Sequence, residues 1–257
     1  MSKITQAFGQ KKAYIPFFIC GDPDLATTEA ALRAAVEAGA AMIELNIPFS
    51  DPTAGDTTVQ TANIRALAGG VTTDKIFDFI EALRKDVTVP LLISGYANVV
   101  FSYGADRFIS RCARIGVDGL IVPDLPFEEQ EEFLPFCKKY GVALISMVAA
   151  TSRQRITAIA KAAEGFLYIM ACPGGTEQEL SEIIQVVRSV SNIPCAVCIS
   201  AQDAGQVGKT AQQVDGVVED TALVSLCGEF GREAAPHVAN HVRNVVKLLQ
   251  ESGMQEQ

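Results

Sequence analysis

A chain of 257 residues suits one large folded unit, and with 49% apolar residues it can bury a sizeable core. Its formal charge of −9, without any cluster of lysines and arginines, argues against a nucleic-acid partner. No apolar run approaches the ~18–20 residues of a membrane span, and the polar opening Met1-Ser2-Lys3-Ile4-Thr5-Gln6-Ala7-Phe8 is unlike a signal peptide, so a cytoplasmic protein with no membrane partner is expected.

In chain order, an N-terminal helix is expected over about residues 1–12, followed by short apolar runs alternating with amphipathic ones. Eight runs read as strands: 14–20, 41–46, 90–95, 119–122, 143–147, 165–170, 195–199 and 216–218. Between them lie helical patterns. Residues 27–38 place Ala31, Ala34, Ala35 and Ala38 on one face, and 75–84 do the same with Ile76, Phe79, Ile80 and Leu83. Pro126 followed by Phe127-Glu128-Glu129-Gln130 reads as a helix start, since early acids complement the positive N-terminal end. The polar residues 251–257 are expected to fray. Eight βα units with no linker, and no G-x-G-x-x-G after the first strand, predict an α/β fold of the (β/α)8 TIM-barrel type forming a single domain over 1–257.

The seven cysteines, at 20, 112, 137, 172, 195, 198 and 227, show no disulfide-framework spacing and read as reduced thiols. Cys195 and Cys198 lie three apart on one strand, hence on opposite faces, so they are not expected to act together. His237 and His241 share a helix face at i, i+4 but lack a companion carboxylate or thiolate, and read as surface residues; no metal and no cofactor are expected. No strand candidate carries a lysine for Schiff-base chemistry, and neither Ser50 nor Ser94 has a histidine nearby in sequence.

In a barrel, chemistry sits on the loops after the strand C-termini. That ranks Glu44, Asp22, Tyr96, Asn98 and Asp124 above other polar residues. Glu44 stands out because it interrupts Ala41-Met42-Ile43-Glu44-Leu45. An inward carboxyl among apolar neighbours has a raised pKa and can serve as a general acid near neutral pH. A structural carboxylate bonded to a neighbour fits the residues alone equally well.

The run Ile47-Pro48-Phe49-Ser50-Asp51-Pro52, with Glu44 before it and Gln60-Thr61-Ala62-Asn63-Ile64-Arg65-Ala66-Leu67 after it, strongly resembles the signature region of tryptophan synthase α chains. Pro16-Phe17, Gly21-Asp22-Pro23, Tyr96-Ala97-Asn98, Val122-Pro123-Asp124-Leu125-Pro126 and Gly165-Phe166-Leu167-Tyr168 extend the match, which is continuous from about Tyr14 to Tyr168 and traceable beyond. The resemblance implies a lyase of tryptophan biosynthesis. It would split indole-3-glycerol phosphate by retro-aldol cleavage into indole and glyceraldehyde 3-phosphate, with the indole passing to a pyridoxal-phosphate β subunit. It also implies Glu44 as the acid/base and an indole-binding wall of Phe17, Tyr96, Asn98, Leu125, Phe127 and Tyr168. Gly174, Gly175 and Thr176 would belong to the phosphate end. Pro48, Ser50, Asp51 and Pro52 resemble the loop that signals to the β subunit.

The chain departs from the family pattern at two places. The family's second carboxylate lies in an Ala-Asp-Gly-Pro run, whereas here the run is Ala54-Gly55-Asp56-Thr57, so Asp56 is the catalytic candidate one position along. One residue is ~3.8 Å of chain, and Gly55, free to take positive φ, is what could turn Asp56 inward. The phosphate loops also change: Glu177 follows Gly174-Gly175-Thr176 where a glycine is expected, a Gly-Phe-Gly after the seventh strand is absent, and Asp220-Thr221, preceded by Glu219, replaces a Gly-Ser pair. A carboxylate ~5–6 Å from a phosphate costs on the order of 3 kcal/mol per unit charge at an effective dielectric of 20. Phosphate binding is therefore expected to be impaired. Two functions compete: the authentic lyase, and a catalytically impaired paralogue that binds another small ligand or regulates a β-type subunit.

Overall fold

The computed structural model describes residues 2–9, 11–53, 55–170, 176–199, 207 and 210–254. Helix α1 (Lys3–Ala7) lies beneath a ring of parallel strands. The strands are β1 (Ala13–Ile19), β2 (Ile43–Asn46), β3 (Leu91–Ser94), β4 (Gly119–Ile121), β5 (Ala143–Leu144), β6 (Ser146–Val148), β7 (Leu167–Met170), β8 (Cys195–Ile199) and β9 (Gly216–Glu219). Their order, β5-β4-β3-β2-β1-β9-β8-β7-β6, brings the first and last strands together, as a barrel requires. The predicted fifth strand is divided at Ile145, so eight expected strands become nine segments among the described residues. Its first piece pairs with β4 and its second with β7.

The helices that wrap the ring are α2 (Leu25–Glu37), α3 (Thr57–Ala68), α4 (Thr73–Leu83), α5 (Ala97–Tyr103), α6 (Ala105–Arg114), α7 (Leu134–Tyr140), α8 (Arg153–Ala162), α9 (Glu177–Arg188), α10 (Thr221–Phe230) and α11 (Ala234–Met254). Caps fix several of their starts: Asp24, Thr72 and Ser152 each accept a backbone N–H in the first turn, and Thr176 forms a reciprocal capping box with Glu179. The helix expected after Pro126 begins as a 3-10 turn, Phe127–Glu132, before α7.

Alternation along each strand creates two cores. Ile43, Leu45, Ile93 and Val217 face the helices, while Ile15, Met42, Leu92, Ile121, Phe166 and Val218 fill the barrel. Met42 points inward, so Glu44, two residues on, does too. Buried β strands covered on both faces read as continuous apolar runs, which is why β1 is buried at all seven positions.

Polar links tie the ring to its helices. Arg65 on α3 grips the Asp22 carboxylate after β1 with two bonds of 2.7 and 2.8 Å. Behind β9, Glu219 receives the Tyr14 hydroxyl and lies 2.7 Å from Nε2 of His241 on α11. The sequence reading put Glu219 with Asp220 at the phosphate end. The structure corrects this, because period two turns Glu219 outward, between barrel and helix. His241 is likewise not a plain surface residue but a half-buried partner of Glu219, whereas exposed His237 stacks on Phe230.

Candidate active site

At the C-terminal end of the barrel a cavity with about 610 Å³ of empty volume, counted out to its open mouth, lies above the inner core. Phe17, Tyr96, Ile121, Met147, Tyr168 and Met170 make its apolar walls, and Glu44, Asn46, Asn63, Ser94, Cys198 and Asp220 supply polar groups. A mainly apolar pocket with a few convergent polar groups has the form of a small-molecule site.

Glu44 pairs in register with Phe17 on β1 and Leu92 on β3, which sets it on the cavity floor between an aromatic ring and a leucine. Only 3% of the residue is exposed, and Oε2 has no hydrogen-bond partner. Burial raises its pKa from 4.5 to about 8; a bond with Ser94 opposes the shift and the charge of Asp220 adds to it. Near neutral pH this carboxyl is therefore a proton donor with an orphan oxygen turned to the cavity.

The wall above is held by a chain of amides. Ser94 Oγ donates to Asn46 Oδ1 at 3.4 Å, and the Asn63 Oδ1 on α3 accepts the Phe49 N–H at 3.0 Å. Asn63 is anchored in turn by donating to the Val59 carbonyl at 2.8 Å. This fixes the turn after β2 so that Phe49 stacks on Tyr96 with ring centroids 4.9 Å apart. Pro48 is buried in that turn, Ser50 and Asp51 are exposed at its tip and bonded to each other, and Pro52 lines the cavity.

Gly55 does adopt positive φ, at +94°, but Asp56 does not turn into the cavity. Asp56 is exposed and caps α3, with Oδ1 accepting the Thr58 and Val59 N–H groups at 2.9 and 3.1 Å. Its Oδ2 accepts the Thr221 hydroxyl at 2.9 Å. Gly55 itself lines the cavity, and a Cβ there would meet Val59 at 2.7 Å, so no side chain fits at that position in this loop.

The second carboxylate that does face the cavity is Asp220, at the end of β9 and the start of α10. Oδ1 accepts from Thr221 N at 2.6 Å and lies 3.0 Å from Thr221 Oγ1, and Oδ2 accepts from Cys198 Sγ at 3.7 Å. Burial raises its pKa, Thr221 opposes this, and Asp56 adds to it. Cys198 faces inward while Cys195 is buried on the outer side, so the two thiols do point apart as strand geometry demands.

The remaining predicted residues lie elsewhere. Asn98 is exposed on α5 and accepts from Ser102, and Leu125 and Phe127 pack against the outer core rather than line the cavity. Thr176 caps α9, and Gly174 and Gly175 lie outside the described residues. Reading from sequence missed Cys198, Met147 and Met170. Counting by two from Tyr168 and Ala196 would have placed Met170 and Cys198 inward.

The comparisons with known proteins agree with this geometry. The family described as Tryptophan synthase alpha chain matches residues 4–254. A tryptophan synthase alpha chain from Lacticaseibacillus casei is 36% identical over 251 residues, covering 95% of this chain and 94% of that one. One from Petrotoga mobilis is 37% identical over 236 residues, with 89% and 92% covered. Among solved structures, a tryptophan synthase from M. tuberculosis superposes with a TM-score of 0.89 at 29% identity, over 97% of this chain and 99% of that chain. With the match running nearly end to end and the barrel, its signature turn and its buried glutamate all in place, the chain belongs to the tryptophan synthase alpha chain family.

Proposed function

We propose that this chain is a retro-aldol lyase of the tryptophan synthase α type, breaking the bond between indole C3 and the hydroxyl-bearing carbon of a glycerol side chain. Indole-3-glycerol phosphate, giving indole and glyceraldehyde 3-phosphate, is the substrate that the family's reaction implies. The observation that carries the reading is Glu44, a neutral, buried acid on the floor of an aromatic-walled cavity. Phe17, Tyr96 and Tyr168 bound a slot suited to a flat ring. Glu44 gives its proton to C3, the C3–C bond breaks as the ring recovers its aromaticity, and the side-chain hydroxyl returns a proton to Glu44 as the aldehyde forms. Asp56 is assigned a positioning role, because its oxygens are committed to α3 and Thr221.

The turn carrying Pro48, Ser50, Asp51 and Pro52 is assigned to contact with a tryptophan synthase β-type subunit. Ile64 on α3 and Phe101 on α5, exposed apolar side chains on the units that follow β2 and β3, support that assignment. Among the described residues no helix is long and apolar enough to cross a membrane, and a cytoplasmic location is proposed with the enzyme. The decisive assay measures indole release from indole-3-glycerol phosphate and from its dephosphorylated form, with and without a β subunit. Release that vanishes in Glu44→Gln is the expected result, and no release from either compound would overturn the lyase. The second reading, an impaired paralogue that keeps only ligand or β-subunit binding, is favoured by Asp220, a carboxylate that faces the cavity from the end of β9. Binding without turnover would establish it.

A further inference from the structure

Barrel enzymes usually hold a substrate phosphate with the loops after the last two strands and with free N–H groups at a helix N-terminus. In this chain the corresponding place is the start of α10, directly after β9. The Thr221 N–H there is already taken by Asp220 Oδ1 at 2.6 Å. A carboxylate of the protein thus occupies the position in which a ligand anion would be received.

The surrounding groups go further. The Thr221 hydroxyl lies 2.9 Å from Asp56 Oδ2 and 3.0 Å from Asp220 Oδ1, yet it has one proton and can satisfy only one of them. On the cavity floor Glu44 Oε2 is buried without any partner. The described lining contains these two carboxyls, Glu44 and Asp220, and no lysine, arginine or histidine. Among the described lining residues the outer oxygen of Asp220 has only a thiol as partner and calls for a better donor, and an added dianion beside it would meet a carboxylate rather than a cation.

We propose that the pocket selects a 3-substituted indole whose far end carries hydrogen-bond donors, hydroxyl or ammonium, and discriminates against a phosphate there. This rests on the reading that the apolar half holds an indole ring. Asp220 is the specificity-determining residue. It takes the donor through the oxygen facing Cys198, whose thiol at 3.7 Å is a weak and replaceable partner.

The chain contains no tryptophan, so the fluorescence of an indole ligand can be followed without a competing indole signal from the protein. The test titrates the protein with indole-3-glycerol, its phosphate ester and tryptamine. The expected result is at least tenfold weaker binding of the phosphate ester than of indole-3-glycerol. Asp220→Asn and Asp220→Ser, which both keep an oxygen to cap α10, are expected to close most of that gap by strengthening the ester. Tryptamine identifies the donor: tighter binding than indole-3-glycerol, lost in Asp220→Asn, marks an ammonium, and the reverse order marks hydroxyls. The proposal is overturned if the phosphate ester binds wild-type protein as tightly as indole-3-glycerol, or if both variants leave the gap unchanged while melting like the wild type. Failure of all three compounds to bind would sink the indole reading along with it. Normal binding selectivity without indole release would sink the lyase alone.

Discussion

At the scale of single residues, Glu44 concentrates the chemistry and carries an energetic cost. Replacing it with glutamine keeps the volume and removes the proton donor, so indole release is expected to fall by at least ~100-fold. Its pKa also sets two pH profiles. Wild-type turnover should decline as pH rises through about 8, where the acid form is lost. Stability should follow the same sense. Below 4.5 the carboxyl is neutral in the folded and unfolded chain alike, but between 4.5 and about 8 only the unfolded chain ionises, so folding weakens as pH rises through that window. Denaturant titrations at both ends of the window should show wild type losing stability relative to Glu44→Gln; a constant difference would refute the assignment. Glu44 was legible in the sequence because one acid interrupting an apolar strand is a strong signal. Asp56 was legible as an acid, but its direction was not. A single residue of displacement is resolved only by the dihedrals at Gly55 and by the competition of the α3 N-terminus for the carboxylate.

At the scale of elements, α3 is where the site is fastened to the barrel. The Asp22 side chain is 2% exposed and relies on Arg65, itself partly open to water, so Arg65→Ala should cost about 3 kcal/mol by leaving a buried carboxylate alone. Thermal melting together with turnover would check this, since loosening α3 also frees Asn63 and the stacked Phe49–Tyr96 pair. Asp56→Ala should cost only about 1 kcal/mol, the usual loss of an N-cap, while Asp56→Asn should melt and turn over nearly as wild type. A large loss of turnover in the asparagine variant, without loss of stability, would instead restore Asp56 to the catalytic role expected from sequence. The strands were readable from their apolar runs because both faces are covered. Facing at the strand ends is harder to read: Glu219 and Asp220 are adjacent acids in the sequence, yet neighbours on a strand look opposite ways, and only Asp220 reaches the cavity.

For the whole molecule, the contacts that close the ring matter most. Glu219 joins β9, β1 and α11 through Tyr14 and His241, so His241→Leu should lower stability by about 2 kcal/mol without changing ligand binding in the cavity on the other face of β9. Denaturant melts with and without an indole ligand would separate the two effects. The opposite side of the ring is built differently. There one run of chain changes partner at Ile145: β5 meets β4 through two register pairs, β6 meets β7 through three, and β2 meets β3 through four. A hoop with one short overlap does not loosen evenly. Its amides at 143–148 should exchange with solvent before those of β1 and β2, and uniform protection around the ring would contradict this. The molecule then has one seam shorter than the rest, across the barrel from its best-tied strands. Brief parting there would give water and small solutes a sideways route to the buried glutamate that does not pass the mouth.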